Sequence, residues 1–422
     1  MWRSERRAII NPEAAEVEAS AKGMHPSIVT VYGAAFAQGA VGIAFAATSG
    51  ILKTEFGVQE TTYGALFLPM LGVATIGSLC GPGILERASL RGLYLQGAAV
   101  LVLAMVGLGL LPLLPVGTLV PALVAIAVLL GAGLALHGLA INTAAMEIAP
   151  QARTAALSAL HGTLGLGCAL GPAMVAALRA RGVWWLAPLI LAVGIGLPAF
   201  STWLRTPRVF RARGARSERI SWAGLPLRFH LFAVPGFFYG VSESTLVNWA
   251  VLYFIGTKGL SLAAGAAALS AFWIAMTAGR FLASFVLRRI PMVPFCAVLF
   301  VAMSAAFCAV RFARTETQAI VAYAFAGLSC SAVVPLLIGL FAANSDRPSA
   351  QVTAYYTAAL LAGIGFASVG VGPIGALVGM NPLFLGSALV PLLGLGSLLL
   401  LRPREAARGI EPDAHIAQSN SR

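Results

Sequence analysis

Two stretches of this chain, residues 92–146 and 348–401, contain no Asp, Glu, Lys or Arg. Runs of that length without a charge are incompatible with a water-soluble core. An α-helix rises about 1.5 Å per residue, so roughly 20 apolar residues cross a hydrocarbon layer about 30 Å thick. Each stretch is therefore too long for one crossing and suits two. Pro112, Pro115 and Gly117 divide the first, and Gly379, Asn381 and Pro382 the second, with residue types that end helices and make turns. The whole chain follows suit: with 59% hydrophobic and only 10% charged residues, it has too little polar surface to enclose a soluble body. The expected class is an all-α integral membrane protein.

Cutting the remainder at charges, prolines and glycine pairs gives spans near 29–52, 62–85, 92–114, 119–148, 155–178 and 183–204. A second set follows near 229–256, 262–287, 293–310, 318–343, 352–378 and 383–401. Between the sets, residues 205–228 carry Arg208, Arg211, Arg213, Arg216 and Arg219 against the single acid Glu218, as expected of a basic linker. The expected organisation is a tail at 1–28, a six-helix bundle at 29–204, the linker at 205–228, a second bundle at 229–402 and a tail at 403–422. Residues 1–28 mix arginines with glutamates and offer no early apolar segment, unlike a signal peptide. Placing the first tail in the cytoplasm puts most Lys and Arg residues on the inner side, so both termini are expected to be cytoplasmic in a cell (inner) membrane. The formal charge of +13 then reads as a topology signal and an attraction to anionic inner-leaflet lipid. The arginines are divided among short loops, which argues against a nucleic-acid partner.

Glu243 is the only carboxylate deep inside an apolar run. A carboxylate there is costly unless it is protonated, paired or facing water, which marks it as a proton-coupling candidate. Structural burial of a protonated Glu is the alternative. A helix places Tyr239 four residues away on the same face, and Asn248, Trp249 and Trp273 are further candidates for solute contact, or else for core packing. His137 and His161 lie within spans, where each could bind solute, relay protons or join two helices by a hydrogen bond. Asn142 is one turn from Gly138 and could present its amide to a solute across that open surface. The five cysteines fall in spans without a CxxC pair and read as packing residues. No HExxH, P-loop, GxSxG elbow or paired carboxylates occur within a span, so neither an enzyme nor a bound cofactor is expected.

Six spans, a basic linker and six spans resemble the major facilitator superfamily. The loop Gly81-Pro-Gly-Ile-Leu-Glu86-Arg87-Ala-Ser-Leu-Arg91 is similar to that superfamily's acidic–basic motif. The resemblance implies that Glu86, Arg87 and Arg91 latch the two bundles together by charge pairing, although Ser89 and Leu90 depart from the usual pattern. Glu147, Arg153 and Arg280, placed near the cytoplasmic ends of their spans, are the other gating candidates. The runs from Asn142 to Arg153 and from Ala159 to Gly167 with Gly171-Pro172, together with Tyr239 to Trp249, Ser270 to Trp273 and Gly279-Arg280, are similar to the fucose-permease-like branch. That branch would carry carboxylates in its first and fourth spans, where this chain has Gln38 and the His137-Gly138 pair. Gly167-Cys-Ala-Leu-Gly171-Pro172 is also like the fifth-span signature of proton–drug antiporters, with Val175 and Ala176 in place of its closing glycines. The implied fold is two pseudo-symmetric six-helix bundles. The expected function is secondary transport of a small organic solute by a monomer, coupled to protons. A drug or metabolite exporter, or a receptor or assembly subunit that has lost transport, is the alternative.

Overall fold

The computed structural model describes the backbone of residues 12–149, 153–211, 224–347 and 349–403. Every regular element among them is helical. The helices are α1 (Pro12–Phe56), α2 (Glu60–Ala65), α3 (Phe67–Arg87), α4 (Leu90–Gly109), α5 (Leu119–Ile148), α6 (Arg153–Arg179) and α7 (Leu186–Leu204). The second set is α8 (Leu227–Leu231), α9 (Val234–Gly256), α10 (Leu262–Val286), α11 (Met292–Phe312), α12 (Glu316–Cys330), α13 (Val333–Ala343), α14 (Ser349–Val378), α15 (Met380–Gly386) and α16 (Leu389–Leu400). Ten columns of helix are long and apolar enough to cross a membrane by composition alone. The α2–α3 column and α9 complete the twelve. In α9, Ser242, Glu243, Ser244, Thr245 and Asn248 interrupt an otherwise apolar helix.

The boundaries differ from a reading of uninterrupted spans in ways that local chemistry explains. Helix α1 starts at Pro12, so from that residue onward the expected first tail is continuous with the first span. The second span bends at Leu66, just before Pro69. The tenth breaks at Ser331 and Ala332, between α12 and α13. Pro335 stands four residues after Ser331 and has no N–H to give to its carbonyl. The last span is divided at Ser387 and Ala388, the former four residues ahead of Pro391.

Packing repeats between the halves. In the first, α1 packs on α6, α3 on α5, and α4 on α5 and α7; in the second, α9 packs on α14, α10 on α12, and α11 on α12 and α16. The repeat extends to individual glycines. A Cβ on Gly167 of α6 would strike the Phe36 carbonyl and Ala40 nitrogen of α1, and one on Gly363 of α14 would strike the Phe237 carbonyl and Val241 nitrogen of α9. The reciprocal contacts are also matched, Gly39 against Leu164 and Gly240 against Leu360. Small residues allow this approach where water supplies no hydrophobic drive between helices. The fold is that of two pseudo-symmetric six-helix bundles.

The halves meet along a seam. Helix α6 of the first packs on α10 of the second, α2 and α3 pack on α14, and α1 packs on α9. At the end of the molecule remote from Arg205 and Arg228, hereafter the far end, the seam is sealed. Tyr63 donates to the Asn248 carbonyl at 3.0 Å, and its ring meets Trp249 edge-on at 5.5 Å. Trp249 also fits against Gly64 and Gly372, positions where a Cβ would crowd its indole. Nearby, the Lys53–Glu60 ion pair of 2.5 Å lies against Gly256 of α9.

Candidate functional site

Halfway along the spans, side chains from both halves converge on Glu243. It projects from α9 and keeps some accessible surface between fully buried neighbours. Tyr239, one turn earlier, brings its hydroxyl to the Glu243 carboxyl and donates to the Cys330 carbonyl at 3.1 Å. A tyrosine hydroxyl has one proton to donate. In this conformation that proton is given to the Cys330 carbonyl.

The nearest permanent charge is Arg280 on α10, which acts electrostatically on both Glu243 and Cys168 of α6. No carboxylate lies within 4.0 Å of it among the described residues. Its Nε donates to the Ser331 carbonyl at 3.3 Å and its Nη1 to the His161 carbonyl, across the seam, at 3.4 Å. Both acceptors are main-chain oxygens. The Ser331 oxygen is available because residue 335 is proline. Arg280 was expected to sit at the end of its span as a gating charge. Its contacts instead place it at mid-depth with Glu243, while its bond to α6 does bridge the two halves.

The other candidates divide into groups. His161 is exposed on the seam beside Arg280. Trp273 is half-buried on α10 with its ring edge-on to Phe272. Asn248 is half-buried, and its amide donates to Ser244 Oγ at 3.1 Å and Ser368 Oγ at 2.9 Å, tying α9 to α14. Asn142 is half-buried and spends one amide proton on its own helix, at the Gly138 carbonyl 2.7 Å away.

Three candidates are removed from direct solute contact in this conformation, one of them Tyr239, fully buried beside Glu243. Trp249 is fully buried in the far-end seal. His137 is fully buried inside the first half, where its Nδ1 donates to Gln38 Oε1 at 2.5 Å and its ring lies 5.0 Å from that of Tyr94. Gln38 thus stands in the first span, and His137 partners it from the fourth, where carboxylates would have been expected.

The expected charge latch is not seen among the described residues. Arg91 donates to the Trp203 carbonyl at 2.7 Å, joining α4 to α7 of the same half, and Arg87 is exposed. Glu147 is half-buried near the end of α5. The side chains of Glu86 and Arg153 lie outside the described residues. No cluster of His, Cys, Asp or Glu among the described residues has the grouping of a metal site.

The sequence matches the Major Facilitator Superfamily over residues 29–359, and the chain belongs to that family. Among solved structures, it is similar to a POT family transporter in complex with a thioalcohol-conjugated peptide, at 13% identity and a TM-score of 0.70, covering 90% of this chain and 96% of that one. A bacterial homolog of the human lysosomal transporter Spinster, in an inward-facing and occupied conformation, aligns at 15% identity and a TM-score of 0.68, covering 91% and 97%. A mutant of the nucleoside transporter NupG aligns at 12% and 0.70, covering 88% and 99%. These likenesses establish the fold. No curated protein sequence matches the chain. Family and fold identify a multi-pass membrane transport protein rather than an enzyme.

Proposed function

We propose that the chain is a proton-coupled secondary transporter that carries a small organic solute by alternating access, the two bundles rocking about the mid-depth seam. The observation supporting this is the position of Glu243. A titratable carboxyl lies near where the halves meet, one turn from Tyr239 and under the electrostatic influence of Arg280, a cation bonded across the seam. His161, Asn142 and Trp273 are the proposed solute contacts. Asn248 and Trp249 act with Tyr63 at the far-end seal, and Arg280 joins the site to the moving halves. The motifs shared with the fucose-permease-like branch favour an organic solute. The paired Gln38 and His137, in place of that branch's acids, set this chain apart from a sugar importer.

Reconstituted into proteoliposomes, the Glu243→Gln variant should lose solute accumulation against a gradient while keeping solute exchange at equilibrium. Glutamine keeps the size and much of the hydrogen bonding but cannot titrate. Accumulation driven by a pH gradient in this variant would remove Glu243 from the coupling step. A merely structural Glu243 would leave both transport and thermal stability normal.

The basic linker supports an inner-membrane orientation with both termini cytoplasmic. Reporter fusions after Arg228 and after Arg408 should both read as cytoplasmic. An external reading at either position would overturn that orientation.

A further inference from the structure

Arg280 poses a charge-balance problem. A guanidinium stays protonated in proteins and carries five N–H donors, and an uncompensated charge at mid-depth in a membrane is costly. The groups facing it come from every element packed around it. They are Met276 on its own helix, His161 and Cys168 on α6, Tyr239 and Glu243 on α9, and Cys330 and Ser331 where α12 ends. Glu243 is the only carboxylate among them, and the hydrogen bonds Arg280 makes go to two carbonyl oxygens and a thioether. Dipoles orient the guanidinium without cancelling its charge.

One positive charge can be neutralised by one negative charge at a time. The deprotonated Glu243 supplies it from within the protein. Once Glu243 takes a proton, the counter-charge has to come from outside. Resting on the coupling reading above, we propose that the transported solute is a small monoanion, a carboxylate or a group of like shape held by Arg280. It is loaded together with one proton on Glu243, so that the loaded site crosses the membrane without net charge. A guanidinium fork matches the two oxygens of a carboxylate. A dianion would leave the loaded site with a net negative charge, and a neutral solute would leave Arg280 uncompensated.

The intact protein in proteoliposomes tests this with labelled lactate, benzoate and gluconate beside a labelled dicarboxylate, neutral sugars and amines. With the membrane potential clamped at zero by potassium and valinomycin, a pH difference should drive uptake of a monoanion faster than in protein-free liposomes, where only the protonated acid crosses. The limit of that uptake should be tenfold per pH unit, the ratio for one proton carried with one solute. A membrane potential without a pH difference should drive none. In detergent, binding of that monoanion should weaken as pH rises in the wild type. Glu243→Gln should bind it independently of pH, because the glutamine leaves Arg280 permanently available. Arg280→Lys should retain the fold, checked by its melting temperature, and bind at least tenfold more weakly.

Accumulation driven by membrane potential, or binding confined to neutral, cationic or dianionic solutes, would overturn the monoanion assignment and leave proton coupling at Glu243 standing. Binding of none of the three monoanions would overturn it as well. Retained pH-driven uptake in Glu243→Gln would instead remove the coupling reading on which the assignment rests.

Discussion

Trp249→Ala should open the far end of the molecule. The indole is completely buried, meets Tyr63 of the first half, and fills the space left by Gly64 and Gly372. Truncating a buried tryptophan typically removes about 3–5 kcal/mol of packing. Only the part made between the halves bears on the balance of open and closed states. If that part is about 1.4 kcal/mol, the balance shifts tenfold. Ser49, also buried and near Tyr63, is a suitable reporter. In a background with the native cysteines replaced, Ser49→Cys should react with a membrane-impermeant maleimide at least tenfold faster once Trp249 is alanine. An unchanged labelling rate would mean that the seal does not depend on this side chain.

Gly167→Leu should abolish the folded protein rather than tune it. At Gly167 the backbones of α1 and α6 approach until a side chain would collide with the Phe36 carbonyl and Ala40 nitrogen. Overfilling a packed interior ordinarily costs about 1–3 kcal/mol. Here the obstacle is main chain rather than a rotatable side chain, so the helices themselves must separate. The readout is the monodisperse yield after detergent extraction, with Gly33→Leu as the comparison, because a Cβ at Gly33 meets nothing within 4 Å. Equal yields for the two variants would show that the close approach is dispensable.

Much of this architecture was legible because membrane helices announce themselves by what they lack. Charge-free runs, turn residues and a basic linker gave the two sets of six spans, and Glu243 stood out as the one acid inside an apolar run. The site around it was harder to read for a specific reason. Arg280 lies near the end of its helix in sequence, which suggested an interface charge, yet its partners on other helices are the main-chain oxygens of His161 and Ser331. Main-chain acceptors have no residue type, so no side-chain motif reveals them. His137 shows the converse limit. A mid-span imidazole suggested solute contact, but which way it faces depends on where α1 brings Gln38. The matched contacts of Gly167 and Gly363 were equally hidden, since a helix rich in glycine has many positions that could approach a neighbour.

The break between α12 and α13 has a consequence for inheritance. Arg280 is anchored on an oxygen of Ser331 that every amino acid possesses, so exchange of the serine side chain leaves the acceptor in the chain. What reserves that oxygen is the ring of Pro335, four residues further on, which supplies no competing N–H. The instruction that anchors the arginine is therefore written at a residue that never touches it. A lineage could exchange Ser331 and keep the anchor, whereas loss of Pro335 would return the oxygen to its own helix.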